Sequence, residues 1–138
     1  MTQGARLGSA VMFVQDLDRS VSFYREILGM EVADRSATAA LLLSAAGTQL
    51  VLRAMGSSAA HALGSVGVQY VIWTAAGDAD LRRCRQVLEQ RSAYIDTRTS
   101  GGVSVVEGRD PDNIVVMISY PGPDQVPVTE LPVRIYGW

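Results

Sequence analysis

One cysteine, one histidine, no lysine and twelve arginines bound the chemistry open to this chain. Without lysine there is no Schiff base and no lysine general base. Twelve guanidiniums remain to clamp carboxylate or phosphate. Cys84 stands alone, so no internal disulfide can form. It sits in DADLRRCRQVLEQ, a helical pattern, which predicts a small buried helix residue rather than a nucleophile. His61 lies in the small-residue stretch GSSAAHALGS. A lone His cannot build a His-rich metal site, and it reads as a solvated loop residue. The stretch RDPDNIVVMISYP, residues 109–121, is a tight turn running straight into a strand. The turn is Asp110-Pro111-Asp112-Asn113, and the strand, Ile114 to Tyr120, carries no carboxylate, His or Cys. Asx side chains that bond nearby backbone, with Pro fixing φ, make Asp110, Asp112 and Asn113 structural residues.

These residues need elements to hold them, and the chain repeats one pattern twice. Residues 8–15, GSAVMFVQ, read as a strand. In DLDRSVSFYREILG, Asp16 or Asp18 can cap a helix that Gly29 can end. Val21, Tyr24, Ile27 and Leu28 fall on one face of it. Three strands follow in MEVADRS, AALLLSA and TQLVLRAM, with a hairpin turn at Gly47-Thr48. The second unit starts with a strand over 66–75 and a helix capped by Asp78 or Asp80, with Leu81, Cys84, Val87 and Leu88 on one face. Strands in AYIDTRT, GVSVVEG and NIVVMISYP complete it. The expected organisation is one domain of 138 residues: module one about 7–55, a linker about 56–65, module two about 66–121 and a C-terminal arm 122–138. Four of the five prolines lie in PGPDQVPVTELPVRIYGW, residues 121–138, so the arm reads as extended, because Pro blocks helix and central strand alike. Its end, Ile135-Tyr136-Gly137-Trp138, is apolar enough to pack on its own domain or on a partner chain.

Composition excludes several classes. Apolar residues make up 48% and charged residues 19%, ordinary values for a soluble globular domain. A net charge of −2 with scattered arginines gives no nucleic-acid footprint. No apolar run reaches the roughly 18 residues of a membrane span, and no signal peptide opens the chain. The expectation is a cytoplasmic protein with neither nucleic acid nor membrane as partner.

The segment VMFVQDLDRSVSFYREILGMEV, with its Asp-Leu pair, aromatic pair and Leu-Gly-Met helix end, resembles the opening of the vicinal oxygen chelate superfamily. RDPDNIVVMI resembles that family's closing turn and strand. The superfamily includes glyoxalase I, bleomycin-resistance proteins and extradiol dioxygenases, and the resemblance runs over about residues 7–121. It implies an α+β fold of two tandem βαβββ modules forming a curled mixed sheet around a cavity, commonly in a homodimer. In metal-dependent relatives, a His or its equivalent stands on the first strand of each half and a carboxylate on the last. Those positions fall here on Ser9, Val51, Tyr70 and Met117. Divalent metals want nitrogen or hard oxygen ligands. The expectation is therefore the metal-free branch, with no cofactor.

Side chains two apart on a strand share a face. If those four face the cavity, so do Val11 and Phe13, Gln49 and Arg53, Ile72 and Thr74, and Val115 and Ser119. That set is mostly apolar with a few polar groups, as a small-molecule pocket requires. Arg53 can pair with an anionic group or sit at the surface. Tyr70 can stack on a ring, donate a hydrogen bond or fill core volume. Glu107 reads as a solvated strand-end residue; only if buried would it serve as a general base. Arg35, Asp96 and Arg98 read as solvated, and Trp73 as lying under the helices. The expected function is metal-independent binding of an aromatic or natural-product-like small molecule, extending to antibiotic sequestration. The alternative is a metal-free isomerase, cyclase or lyase with Tyr70 as acid, Arg53 as oxyanion clamp and Glu107 as base. A metal-dependent glyoxalase or dioxygenase is the least favoured.

Overall fold

Short-range signals set the elements in place. Asp16 caps α1 (Leu17–Leu28), its Oδ1 accepting from the Arg19 N–H at 3.0 Å. Gly29 ends the helix at φ 64°, a left-handed conformation that glycine adopts without Cβ strain. Around this helix stand β1 (Ser9–Val14), β2 (Glu31–Arg35), β3 (Ala39–Leu43) and β4 (Gln49–Ala54). The second set is β5 (Val71–Thr74), α2 (Asp78–Gln90), β6 (Tyr94–Ser100), β7 (Val103–Arg109) and β8 (Val115–Tyr120). The computed structural model describes residues 4, 5, 7–56, 68–126 and 130–132. The chain divides into two units, Met1–Ala60 and His61–Trp138, each built strand–helix–three strands. The fold is α+β, two tandem modules with two mixed four-stranded sheets and no closed barrel.

In the first unit the strand order is β1-β4-β3-β2, with β1 and β4 parallel and the other pairs antiparallel. Helix α1 packs on β3 and β4 and buries Val21, Phe23, Tyr24 and Ile27 against Ala40, Leu42, Leu50 and Leu52. Phe23 and Tyr24 meet edge to face, with ring centroids 5.0 Å apart. Arg35 is exposed, as expected, and forms a surface ion pair with Asp18 on α1.

The second unit repeats the order as β5-β8-β7-β6, again with its first pair parallel. Helix α2 packs on β6, β7 and β8 through Leu81, Cys84, Val87 and Leu88. Its cap differs from expectation. Neither Asp78 nor Asp80 is the N-cap residue; Gly77 is, without a side-chain bond. Asp80 reaches back instead and accepts from the Ala76 N–H at 3.0 Å. Acids at both 78 and 80 enrich the first turn, where they complement the helix dipole, so composition alone does not separate a cap from a first-turn acid.

Two further boundaries differ from the sequence reading. Strand β5 begins at Val71, so Tyr70 precedes it rather than lying within it. The start of the C-terminal arm turns rather than extends: the N–H groups of Gln125 and Val126 both donate to the Gly122 carbonyl. Most of the expected linker, with His61, and the terminal Ile135 to Trp138 lie outside the described residues.

Candidate functional site

Each sheet has one face under its helix and one face turned away from it. In the first unit the register pairs Ser9 with Gln49, Val11 with Val51 and Phe13 with Arg53. All six predicted residues therefore share the face opposite α1, the intervening Ala10, Met12, Leu50 and Leu52 taking the other side. Leu41 and Leu43, opposite Val51 and Gln49, extend that wall on β3. Val11 and Phe13 are each 63% exposed. An apolar wall with Gln49 and Arg53 at its two ends results.

In the second unit Ile72 pairs with Met117 and Thr74 with Ser119. Tyr70, just before the strand, packs with Ile72 against Val115 and Met117. The predicted residues again share the face turned away from the helix. On β7 that face continues through Val105 (opposite Ser119), Glu107 (opposite Met117) and Arg109 (opposite Val115). Trp73 pairs with Ile118 on the helix side, as its parity requires. At the edge, Asp96 lies opposite Glu107 and Arg98 opposite Val105. The two pair with each other at 3.2 Å while half-exposed.

Unlike the wall in the first unit, this face is covered. Val126 and Leu131 from the C-terminal arm pack on Val103, Val105, Val115 and Met117, which are all buried. Glu107 is only 4% exposed, which settles the choice between a buried and a solvated carboxylate. Ser119 is 0% exposed, and its Oγ has no hydrogen-bond partner among the described residues. The parity of VSVVEGR already placed Glu107 with Val103 and Val105; no local pattern announces its burial.

The unpaired Ser119 hydroxyl has a direct consequence for stability. A buried polar group without a partner keeps its full desolvation cost. Ser119→Ala removes that cost and leaves a gap of only one atom. It is expected to stabilise the protein by about 1 kcal/mol, read as a raised urea midpoint with an unchanged slope. A lower midpoint would mean that the hydroxyl is satisfied in solution.

The four positions that the resemblance assigns to metal ligands hold Ser9, Val51, Tyr70 and Met117. Ser9 and Tyr70 offer a neutral hydroxyl and phenol, Met117 a buried thioether and Val51 nothing. Among the described residues no three His, Cys, Asp or Glu side chains gather closely enough to hold an ion. Cys84 lies on the buried face of α2, away from the candidate face. Burial pushes its thiol up to about 11, against the pull of Arg83, so it is a poor nucleophile near neutrality. Asp110 is buried in its turn, where its Oδ1 accepts from the N–H groups of Asp112 and Ile114, both at 2.8 Å. It is a structural residue, as its Asx pattern indicated.

Tandem βαβββ units, each with an unhelical sheet face lined by alternate residues of its first and last strands, define a class of α+β proteins. The chain belongs to the Glyoxalase/Bleomycin resistance protein/Dioxygenase superfamily, whose family model matches residues 6–118. No curated protein matches it. Among solved structures it is similar to a glyoxylase/bleomycin resistance protein/dioxygenase domain from Frankia sp. EAN1pec, at 22% identity and TM-score 0.72, over 86% of this chain and 92% of that one. It is similar to lactoylglutathione lyase from Agrobacterium tumefaciens, at 20% identity and TM-score 0.66, over 86% and 95%. It is also similar to the fosfomycin resistance protein FosX from Mesorhizobium loti, at 14% identity and TM-score 0.63, over 86% and 92%. At these identities the shared property is the fold.

Proposed function

We propose that the protein binds a small, mostly apolar molecule, aromatic or natural-product-like, without using a metal. The observation that carries this reading is the wall of the first unit. Val11 and Phe13 are solvent-exposed there, beside Val51, Leu41 and Leu43, with Arg53 and Gln49 on the same face. Large apolar side chains gathered on one exposed face mark a binding surface more often than scattered ones do. Arg53 adds a cation that matches an acidic group on the ligand. The donor set at the family's metal positions supports the metal-free part. A second reading, a metal-free isomerase, cyclase or lyase, is favoured only by the burial of Glu107 on the face it shares with Met117, a setting suited to a general base.

The test is a titration of the EDTA-dialysed protein with 2-naphthoate, a flat apolar acid, followed by fluorescence anisotropy. Saturable binding is expected, unchanged by added Zn, Ni or Mn, and weakened about tenfold in Phe13→Ala. No saturable binding, or binding that requires one of the metals, would overturn the reading.

A further inference from the structure

The faces of the two units correspond strand for strand, yet one lies bare and the other lies under the C-terminal arm. The arm leaves β8 across Gly122, which rests directly on Thr74; a Cβ there would overlap the Thr74 hydroxyl and methyl. Asp124 accepts from the Thr74 Oγ1–H at 3.4 Å, a long bond and a weak tether. Beyond it, Val126 and Leu131 cover Met117, Val105 and Val115. Leu131 contributes only apolar contact to the floor beneath. That floor is not purely apolar: Ser119 Oγ is fully buried without a partner among the described residues, and the Glu107 carboxylate is buried on the next strand. Buried hydroxyls in a closed core are as a rule paired, since each orphan costs stability, so the Ser119 orphan calls for an explanation.

We infer that Leu131 is a displaceable occupant of a second binding site on this face. Its ligand is a compact apolar molecule bearing one hydroxyl, which supplies the hydrogen bond Ser119 lacks while its ring or chain replaces the leucine on Met117 and Val105. The inference deepens the proposed small-molecule binding by assigning a subsite and a ligand chemistry. It differs in its location, in the second unit alone. A covering side chain that competes with the ligand lowers the apparent affinity by the fraction of molecules in which the face is closed. Removing the cover raises the affinity by that same factor.

The experiment uses p-cresol and toluene, which differ by one hydroxyl, and the full chain labelled with 13C at its methionine methyls. Met117 is assigned through Met117→Leu. p-Cresol is expected to shift the Met117 resonance and to bind at least fivefold more tightly than toluene. Leu131→Ala is expected to raise p-cresol affinity about fivefold or more. Ser119→Ala, which keeps Leu131, is expected to erase the preference for p-cresol over toluene. Should Leu131→Ala fail to fold, the Ser119→Ala comparison decides by itself. Equal binding of the two probes to the unaltered protein, or p-cresol binding that leaves Met117 unshifted, overturns the inference. In that event, retained 2-naphthoate binding that depends on Phe13 leaves the broader reading standing, whereas its loss as well sinks both.

Discussion

Gly108→Ala is expected to destabilise the protein by about 1–3 kcal/mol, the usual cost of forcing atoms into a filled core. Gly108 lies in β7 between Tyr94 and Val116, on the side of the sheet that faces α2. A Cβ there would stand 2.7 and 2.8 Å from the two methyls of Leu88 and 2.8 Å from the Ala93 carbonyl oxygen. Neither neighbour yields easily. Leu88 is 0% exposed, so its methyls have no open space to rotate into. The Ala93 oxygen already accepts from the Arg109 N–H at 2.9 Å, one residue along the same strand. Glycine is kept here because backbone and side chain approach too closely for any other residue.

The argument sharpens in a double-mutant cycle. Leu88→Ala alone is expected to cost about 2–5 kcal/mol, the range for emptying a buried leucine site. It also removes both methyls that oppose the new Cβ. Gly108→Ala should therefore cost less in the Leu88→Ala background, with a coupling on the order of 1 kcal/mol. The rescue is partial, because the contact with the Ala93 oxygen persists. Urea unfolding followed by tryptophan fluorescence measures all four corners. Strict additivity would show that the β6–β7 backbone moves aside and that Leu88 sets no limit at Gly108.

This contact shows where the sequence was legible and where it was not. The helix face Leu81, Cys84, Val87 and Leu88 follows from period alone, and all four are buried in α2. A glycine inside a strand pattern, as at Gly108, is consistent with a close approach but names no partner; here the partners come from fifteen to twenty residues earlier, through the α2–β6 turn. The same divide separates the two candidate faces. Strict alternation placed Ser9, Val11, Phe13, Gln49, Val51 and Arg53 on one face because a strand's side-chain period leaves one choice once a single residue is assigned. Alternation likewise put Ile72, Met117 and Ser119 together. What lies over a face is a different kind of information. Val126 and Leu131 stand in a segment with no helical or strand period, so nothing in their spacing pointed back to Met117. The burial of Glu107 and the lack of a partner for Ser119 among the described residues are likewise tertiary facts that a strand's period does not carry.

Asp110→Ala is expected to cost about 2 kcal/mol, because it strips the acceptor from two backbone N–H groups in a turn with little access to water. Asp110 is 5% exposed. Its Oδ1 holds the N–H groups of Asp112 and Ile114. Its backbone closes the same turn, donating to the Ile114 carbonyl and accepting from the Asn113 N–H, both at 2.9 Å. The backbone bonds survive the substitution, but they must then hold Asn113 at φ 64° without the side chain's help. That left-handed conformation is one that asparagine tolerates and most residues resist. Asp110→Asn keeps an oxygen at the Oδ1 position and should lose about half as much, since a neutral acceptor bonds more weakly than a carboxylate. The turn feeds directly into β8, so its loosening should reach Val115 and Met117 before it reaches the first unit. Methyl resonances of labelled Met117 should broaden in Asp110→Ala while Met12 stays sharp. If Asp110 were part of a binding site on the β8 face instead, Asp110→Ala would weaken p-cresol binding at temperatures where the protein is fully folded. A structural turn predicts that affinity per folded molecule is unchanged, so the two roles separate in one pair of titrations.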